Sequence, residues 1–392
     1  MAITDKKTGV WGLDQTYNKI NQGSIWDYSE VFGLWTWGEG GNGGLGDSTR
    51  THRSSPAQVP GGNWSGLWSG MSGSRNHVYA FQSANELWSW GSNTYGALAF
   101  GPGSPAHRRS SPVQVAGSWS NVSMGFYGGV AVKTSGGLYT WGYNADGSLG
   151  LGDGNSRSSP TQVGSDTTWK KDKYGCSWGG YAGGAIKTDG TLWMWGRNTE
   201  GVLGQGATNP GTNSPVQLGS DTDWDHISVG GGNGEEHACA LRTDGSAYAW
   251  GENQYGQVGD NSTTTRNTAQ QIPGTWARFS TSAGRFSFGV KTDGTLWTWG
   301  RNAHGWLGHN NTTNYSSPKQ VGSGTDWSTN VTAHGERMAA IKTDGTLWTW
   351  GNCEEGALGD NTSVNKSSPV QIPGNWADVV CYGKGMAALK YI

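Results

Sequence analysis

The sequence is poor in charge. Lysine, arginine, aspartate and glutamate make up only 14% of its 392 residues, and the formal net charge is −2. Because no basic cluster or acidic tail stands out, the charge pattern gives no reason to expect a nucleic acid or an anionic membrane surface as a partner. No stretch is apolar enough to span a bilayer, so we expect no membrane insertion either.

Cysteine is scarce too, and its spacing excludes two kinds of site. Cys176, Cys239, Cys353 and Cys381 are irregularly spaced and form no C-x-x-C pair. This pattern supports neither a zinc site nor a disulfide framework, so we expect four free thiols packed as small apolar side chains. The N-terminus lacks the apolar segment of a signal peptide, which predicts synthesis in a cytoplasm.

Catalytic patterns are missing as well. We find no nucleophile–base arrangement, no phosphate-binding Gly-Lys-Ser/Thr loop and no cluster of metal ligands. The sequence therefore predicts a protein that is not an enzyme and that uses no cofactor and no metal.

What the sequence has in abundance is a repeated phrase. Leu-Trp-x-Trp-Gly, or a close variant, occurs seven times at intervals of 49 to 55 residues. The copies are residues 34–38, 87–91, 138–142, 192–196, 247–251, 296–300 and 347–351. Such a period indicates a propeller, a solenoid or another array whose modules bury their apolar faces against one another.

Residues 276–321 illustrate how one repeat is built. A tryptophan opens a first strand, and a second strand runs into Asp293-Gly294, a pair typical of a two-residue hairpin turn because both positions need positive φ. The repeated phrase forms the third strand. A loop rich in glycine and asparagine then leads to a last strand, whose Pro318 suits an outermost position where a missing N–H costs no ladder bond. Four antiparallel strands, inner to outer, make one propeller blade.

The tryptophans follow the same pattern. Of the 24, 12 lie in the repeated phrases and seven open the blades. We expect these 19 to belong to the core rather than to a sugar-binding platform.

The two ends of the repeat region complement each other. Residues 376–392 match the first two strands of a blade, and residues 34–59 match the last two. Six further blades lie between them: residues 64–115, 119–163, 169–218, 224–272, 276–321 and 327–372. The sequence therefore predicts an all-β fold, a seven-bladed β-propeller of four-stranded antiparallel blades over residues 34–392. A composite blade from both termini closes it and removes the sheet edges of an open array.

The repeat also carries a family resemblance. Its pattern, W-x-x-[VI] followed by A-[AIL]-K-T-D-G-x-L-W-x-W-G-x-N-x-x-G-x-L-G and S-P-x-Q-[VI], resembles the regulator of chromosome condensation repeat family over about residues 34–390. The resemblance implies a seven-bladed propeller but no single activity, since members include a nucleotide-exchange factor, ubiquitin-ligase adaptors and a secreted β-lactamase inhibitor. The exchange activity needs a wedge inserted from one blade, for which the intervals leave no room. The chromatin role wants a basic surface and tail, and the sequence has neither.

Residues 1–33 precede the repeats as a separate arm. Its apolar residues are Trp11, Leu13, Tyr17, Ile20, Ile25 and Trp26. The arm either packs on the flank of the propeller or docks to a partner or a symmetry mate. It resembles the opening of repeat proteins carried by phages of aquatic bacteria, where such propellers are similar to virion components. That resemblance implies an arm anchored in a particle and a propeller displayed outward.

Residues that break the repeat are the candidate binding residues. Trp306 stands where the other blades have residues such as glycine, alanine or serine, and it neighbours His309 and Tyr315. Trp178 and Tyr181 fall in a turn between the first and second strands of a blade. Exposed aromatic side chains suit a contact surface for a protein or a glycan. The alternative is that these residues pack locally against the neighbouring blade.

The loops after the third strands also contain recurring acids. Asp47, Asp153, Asp260 and Asp360 are assigned to one repeat position. Their spacing to the following Ser, Thr or Asn predicts an Asx-type turn, and a weak cation site is the alternative.

Three functions remain open on this evidence. The first is a structural or display protein of a bacteriophage particle, in the tail, a fibre or the capsid surface, with residues 1–33 contacting other virion proteins. The second is a module that recognises a host-surface receptor, either glycan or protein. The third is an inhibitor or regulator of a host enzyme. A homo-oligomer is compatible with each of them.

Overall fold

A computed structural model describes residues 32–67, 77–83, 85–101, 108–208, 210–232 and 236–391. The strands of the first half are β1 (Phe32–Gly38), β2 (Arg53–Gln58), β3 (Trp64–Leu67), β4 (His77–Gln82), β5 (Glu86–Ser92), β6 (Arg108–Gln114), β7 (Trp119–Gly125), β8 (Gly128–Lys133), β9 (Leu138–Gly142), β10 (Arg157–Gln162), β11 (Cys176–Trp178), β12 (Ala182–Ile186), β13 (Leu192–Gly196) and β14 (Thr212–Gln217). Those of the second half are β15 (Trp224–Gly230), β16 (His237–Arg242), β17 (Ala247–Gly251), β18 (Arg266–Ile272), β19 (Trp276–Thr281), β20 (Phe286–Lys291), β21 (Leu296–Gly300), β22 (Tyr315–Gln320), β23 (Trp327–His334), β24 (Arg337–Lys342), β25 (Leu347–Gly351), β26 (Lys366–Ile372), β27 (Trp376–Tyr382) and β28 (Gly385–Tyr391). Short 3-10 turns occur at Thr94–Gly96 and Glu354–Gly356.

Consecutive strands group into antiparallel blades. Blades one to six are β3–β6, β7–β10, β11–β14, β15–β18, β19–β22 and β23–β26. The seventh blade combines β27 and β28 with β1 and β2. A single pairing of Phe32 with Trp64 joins the seventh blade to the first, so these two blades form one eight-stranded sheet. The predicted seven-bladed β-propeller is confirmed.

The seventh blade closes the ring. Strand β1 pairs with β28 in antiparallel register, from Phe32 opposite Tyr391 to Gly38 opposite Gly385. Because β1 begins at Phe32, the ladder extends two residues ahead of the repeated phrase. Each of the two strands has a partner on both sides, so the ends of the repeat region leave no unpaired ladder between them.

The two tryptophans of the repeated phrase have different environments. The second tryptophan is fully buried in every blade, as predicted. The first is half-buried where it occurs. In four of these five blades a lysine side chain covers it, as Lys291 Nζ does at 3.9 Å from the centroid of the Trp297 ring and Lys187 Nζ at 4.3 Å from that of Trp193; the strand beside Trp88 ends in Gln82 instead. The first tryptophans therefore pack against the core from its outer side but are not fully buried in it as the second tryptophans are.

Six of the seven buried tryptophans are tied to the preceding blade by a hydrogen bond, whereas Trp37 of the seventh blade packs on Gly359 of the sixth and its Nε1 has no hydrogen-bond partner among the described residues. In each of the six, the indole N–H donates to a backbone carbonyl in the loop after the preceding blade's third strand. The bonds are Trp90 to Gly44 (2.9 Å), Trp141 to Ala97 (3.1 Å), Trp195 to Ser148 (2.9 Å), Trp250 to Val202 (2.6 Å), Trp299 to Gln257 (3.0 Å) and Trp350 to Trp306 (2.9 Å). We refer to this contact as the interblade latch.

A glycine next to the accepting carbonyl makes room for the latch. Gly259 has a φ of +88°, and a Cβ atom added to it would lie 2.5 Å from Trp299 Nε1. A Cβ atom added to Gly308 would likewise lie 2.8 Å from Trp350 Nε1. At Gly259 and Gly308 an added side chain would therefore crowd a buried indole and strain the backbone, whereas the first blade holds Ala99 at this position with a φ of +66°.

The predicted thiols are confirmed. Cys176, Cys239, Cys353 and Cys381 are all buried and free. Burial raises the pKa of Cys381 to about 12, which keeps its thiol protonated. Among the described residues, no helix has the length and apolar character to cross a membrane.

The latch predicts a difference between two glycine substitutions. Gly259→Ala should lower the free energy of unfolding by roughly 3 kcal/mol, because it combines backbone strain with overpacking against Trp299. Gly322→Ala is the matched control, since Gly322 also has positive φ (+61°) but nothing lies within 4 Å of its added Cβ. The control should lose only about 1 kcal/mol. Equal losses in chemical denaturation would contradict the latch.

Candidate contact face

One end of the ring is formed by two kinds of connection. The turns between first and second strands and the loops after third strands lie at the same end, because successive strands of a blade are antiparallel. We call this end the loop face. A buried asparagine fixes the loop after the third strand in blades two to five, as in the fourth blade, where Asn253 accepts a bond from the Val258 N–H and donates to the Thr264 carbonyl. The loop face is thus a rigid frame.

Three blades contribute tyrosines that meet on this frame. Tyr95 follows β5, Tyr127 lies in the β7–β8 turn, Tyr143 follows β9, and Tyr181 lies in the β11–β12 turn. Ring centroids are 5.1 Å apart for Tyr95–Tyr127, 4.9 Å for Tyr95–Tyr143, 5.7 Å for Tyr127–Tyr143 and 6.2 Å for Tyr143–Tyr181. We call these four residues the tyrosine patch.

The patch is open to solvent at one edge and supported below. Tyr95 is 50% exposed, whereas the other three rings are half-buried. Phe126 packs edge-on against Tyr127, with centroids 4.5 Å apart. Tyr95 also has a positive φ of 56°, a conformation that a bulky residue adopts only under structural constraint.

A buried carboxyl group lies beneath the third blade's tyrosine. Glu236 is 2% exposed and accepts a hydrogen bond from the Tyr181 backbone N–H. Burial raises the pKa of Glu236 to about 7. Burial also raises the pKa values of Tyr143 and Tyr181, so both hydroxyl groups stay protonated and able to donate.

A polar groove adjoins the patch. It lies between the loops of the second and third blades, has a volume of about 660 Å³, and is lined in part by Asp146, Asp153 and Arg197. The Arg197 guanidinium lies 5.4 Å from the Tyr181 ring centroid. The patch therefore extends from the exposed Tyr95 ring in the first blade to a charged rim at Arg197 in the third.

The fourth and fifth blades present a different surface at the same positions. Tyr255 occupies the loop position of Tyr95, but two cations hold it: Arg285 Nη1 donates to its hydroxyl at 3.2 Å, and the Arg301 guanidinium lies 5.1 Å from its ring centroid. Adjacent tyrosine rings are thus confined to the sector of blades one to three within the described residues.

Trp306 and Trp178 are not exposed, so the expectation that they form a contact surface is wrong. Trp306 is 0% exposed, and its carbonyl accepts the latch bond from Trp350. Trp178 is 1% exposed and packs over the second blade's β7–β8 turn, where an added Cβ on Gly125 would lie 2.5 Å from its ring. Both side chains fill space between blades, which was the alternative interpretation.

His309 and Tyr315 replace an ion pair. At the corresponding positions of the fourth blade, Asp260 Oδ2 lies 2.6 Å from Arg266 Nε. In the fifth blade His309 and Tyr315 pack edge-to-face with centroids 5.3 Å apart. Burial lowers the pKa of His309 to about 4, so its imidazole is neutral near pH 7. A binding role for these two residues stays a prediction.

The recurring loop acids form the expected turns. Asp260 Oδ1 accepts from the Ser262 N–H at 3.1 Å, and Asp360 Oδ1 accepts from the Thr362 N–H at 3.1 Å. Asp153 makes the same bond to Asn155 at 2.8 Å, although it lies two residues later in its loop than the others. Among the described residues, no three His, Cys, Asp or Glu side chains are grouped so that they could hold a metal ion.

The predicted site residues divide into separate groups. Tyr181 belongs to the tyrosine patch, whereas His309 and Tyr315 lie together in the fifth blade's loop. The arm residues Trp11, Leu13, Tyr17, Ile20, Ile25 and Trp26 lie outside the described residues, so their assembly role stays a prediction. Sequence reasoning missed Tyr95, Tyr127 and Tyr143. Tyr127 lies in a turn after a first strand, and Tyr95 and Tyr143 lie in loops after third strands. Comparing the residues at these variable positions between blades would have found them.

A family model matches much of the chain. The model described as Regulator of chromosome condensation (RCC1) repeat matches residues 135–176, 189–241, 244–281, 293–339 and 344–388. A second model with the same description matches residues 226–257. These segments cover more than half of the sequence.

Curated relatives share part of their length with this chain. E3 ubiquitin-protein ligase HERC2 of Homo sapiens is 29% identical over 199 residues, 50% of this chain and 4% of that protein. RCC1 domain-containing protein RUG3, mitochondrial, of Arabidopsis thaliana is 28% identical over 238 residues, covering 58% of this chain and 51% of that protein. Ultraviolet-B receptor UVR8 of Arabidopsis thaliana is 31% identical over 185 residues, covering 47% and 41%. The chain thus spans at most about half of the length of these relatives.

Solved structures share the whole fold. Yeast RCC1 (Prp20), in its complex with Kap60, superposes with a TM-score of 0.76 at 19% identity, covering 93% of this chain and 89% of that one. Human WBSCR16 gives a TM-score of 0.75 at 19% identity, covering 92% and 98%. At this level of identity the likeness shows the propeller fold alone.

The buried carboxyl group predicts a pH dependence of stability. Since the pKa of Glu236 is raised to about 7 in the folded protein, the folded state binds more protons than the unfolded state between about pH 4.5 and 7. The contribution of Glu236 to the free energy of unfolding therefore falls as the pH rises through this interval, by roughly 2 to 3 kcal/mol. Glu236→Gln keeps an oxygen acceptor for the Tyr181 N–H and lacks this contribution. Denaturation of both proteins at pH 4.5 and pH 8 measures it, and a difference between them that does not change with pH would contradict it.

Proposed function

Because the chain belongs to the regulator of chromosome condensation repeat family, we propose that it is a non-catalytic interaction module that uses its ring as a rigid scaffold. The tyrosine patch is its contact surface for a protein partner. The observation that supports this most strongly is the convergence of four tyrosines from three blades at an exposed edge of the loop face.

The geometry of the rings favours a protein over a glycan. Interplanar angles within the patch run from 56° to 84°, so the rings present edges and hydroxyl groups rather than a coplanar row. A coplanar row is what stacking on successive sugar rings would need. Tyrosines with one apolar and one hydrogen-bonding end, beside an arginine such as Arg197, are typical of the energetically dominant centre of protein interfaces.

A rigid frame also favours binding. Association costs free energy for every side chain and loop that must be ordered, and the buried asparagines and the mutual packing of the tyrosines meet part of that cost during folding. The half-buried rings therefore have little rotamer freedom left to lose when a partner docks.

We further propose that the protein is displayed on a bacteriophage particle. Residues 1–33 would contact other virion proteins, and the loop face would meet a protein receptor on the host surface. The resemblance of the arm to the opening of phage-carried repeat proteins supports this placement. A regulator of a host enzyme is the competing function, favoured by relatives named as a ubiquitin-protein ligase and a receptor.

Particles carrying variants of the patch test this proposal. The double substitution Tyr95→Asn and Tyr143→Ala removes two rings, and asparagine tolerates the left-handed backbone at position 95. We expect the adsorption rate of particles to host cells to fall about tenfold or more, as the loss of interface hot spots implies. Tyr255→Ala, at the loop position equivalent to Tyr95, is the matched control and should leave adsorption unchanged.

Two readouts separate the parts of the proposal. Mass spectrometry of purified particles should find the protein at equal copy number in all variants, and its absence from particles would overturn the virion placement. Equal adsorption by wild type and the double variant, with equal incorporation and equal thermal stability, would overturn the role of the tyrosine patch.

A further inference from the structure

The inner strands of the blades carry side chains that point toward one another around the axis. Six of the seven inner strands have a register shift after their opening tryptophan, as between Trp224 and His226, Trp276 and Arg278, and Trp376 and Asp378. Such a bulge re-aims the side chain that follows it. Asp378 Oδ2 accepts from the Leu67 N–H of the first blade at 3.2 Å, which places this side chain between inner strands.

The third blade adds an insertion at this point. Five residues, 170–174, separate Trp169 from Gly175, where the fourth blade has only Asp225 between Trp224 and His226. We call residues 170–174 the axial insertion.

The axial insertion reaches blades on several sides of the ring. Lys173 Nζ lies 2.9 Å from Asp378 Oδ2 of the seventh blade, and Asn121 Nδ2 of the second blade donates to the Asp172 carbonyl at 2.8 Å. The Ile227 N–H of the fourth blade donates to the Tyr174 carbonyl at 3.2 Å. The insertion therefore crosses the axis.

The lysines of the insertion have carboxylate partners, but the nearby arginine does not. Lys173 pairs with Asp378, and Lys170 pairs with Asp225 and with Asp172, the latter at 3.1 Å. The Arg278 guanidinium lies 3.6 Å from the Tyr174 ring centroid and donates from Nη2 to Ser280 Oγ at 3.3 Å. Its Nε and Nη1 atoms are buried without a hydrogen-bond acceptor among the described residues, and the side chain is 7% exposed.

A buried guanidinium in this state is costly. Removing an ion from water is unfavourable unless a counter-charge or hydrogen bonds compensate. Stacking on Tyr174 offsets only part of this cost. Since the neighbouring carboxylates are already held by lysines, an external anion is the group that would complete this arrangement.

A second nitrogen group lies beside the same tyrosine. The His226 ring packs edge-on against Tyr174, with centroids 4.6 Å apart; its Nδ1 makes no hydrogen bond among the described residues and lies 3.6 Å from Asp225 Oδ2, which Lys170 also holds. The His226 side chain is 15% exposed and the adjoining Asp172 side chain 53% exposed, so the cluster borders solvent. Tyr174 thus aligns a guanidinium on its face and an imidazole at its edge.

We propose that Arg278 and His226 form a binding site for a small oxyanion such as inorganic phosphate at the axis of the ring. Tyr174 positions both donors, and the bound anion stabilises the closed propeller. This site is independent of the tyrosine patch and does not require the proposed function.

Thermal unfolding of the full chain in phosphate and in chloride of equal ionic strength tests the proposal. The wild-type midpoint should rise with phosphate concentration and saturate, by on the order of 2 to 4 °C at ten or more times the dissociation constant. Isothermal titration calorimetry with inorganic phosphate should give a stoichiometry of one. Equal midpoints in the two salts, or no binding heat at millimolar phosphate, would overturn the site.

Variants identify the residue responsible. Arg278→Met should lose the phosphate response and, in chloride, unfold at the same temperature as wild type or higher, because it removes a buried charge that lacks a partner. Arg285→Met, which removes a cation from the loop face instead, should keep the full phosphate response. Retention of the response in Arg278→Met, or marked destabilisation of this variant in chloride, would contradict the proposal.

Discussion

The structure depends on the latch between blades. A four-stranded blade cannot bury both of its faces alone. Each buried tryptophan packs against the loop of the blade before it, and six of the seven also donate a hydrogen bond to that loop, as Trp299 does to Gln257. The loop needs a positive φ two residues after the accepting carbonyl, which a glycine such as Gly259 supplies in every blade except the first, where Ala99 has a φ of +66°. Tryptophan and glycine are abundant in this sequence in part because the same contact recurs around the ring.

In a ring held in this way, different residues provide stability and recognition. The latch and the loop asparagines are repeated, so the remaining loop positions are free to vary without loss of the fold. In blades one to three they hold adjacent tyrosines, whereas in blades four and five they hold Tyr255 between Arg285 and Arg301. The same holds at the axis, where five residues of the third blade replace the single residue of the fourth and bring Tyr174 to Arg278.

The fold could be predicted from the sequence because the residues that determine it are close together in the chain and recur in every blade. The candidate sites could not be predicted, because their residues come from different blades and do not recur. The complementarity of residues 34–59 and 376–392 was sufficient to predict the closing blade. The sequence predicts an exposed Trp306, but this residue is buried because its exposure depends on contacts with the following blade, where Trp350 donates a hydrogen bond to the Trp306 carbonyl. The tyrosine patch joins blades one to three, and the cluster around Arg278 joins the third, fourth and fifth. Such contacts appear only once the blades are placed in space.

Ring closure is the claim on which the rest of the account depends, and amide hydrogen exchange of the full chain measures it most directly. Strands β1 and β28 should exchange with the same opening free energy as inner strands of distant blades, such as β16 and β20, because a closed ring opens as one cooperative unit. A distinctly lower opening free energy confined to β1 and β28 would show that the seventh blade separates on its own, and would contradict the closed ring.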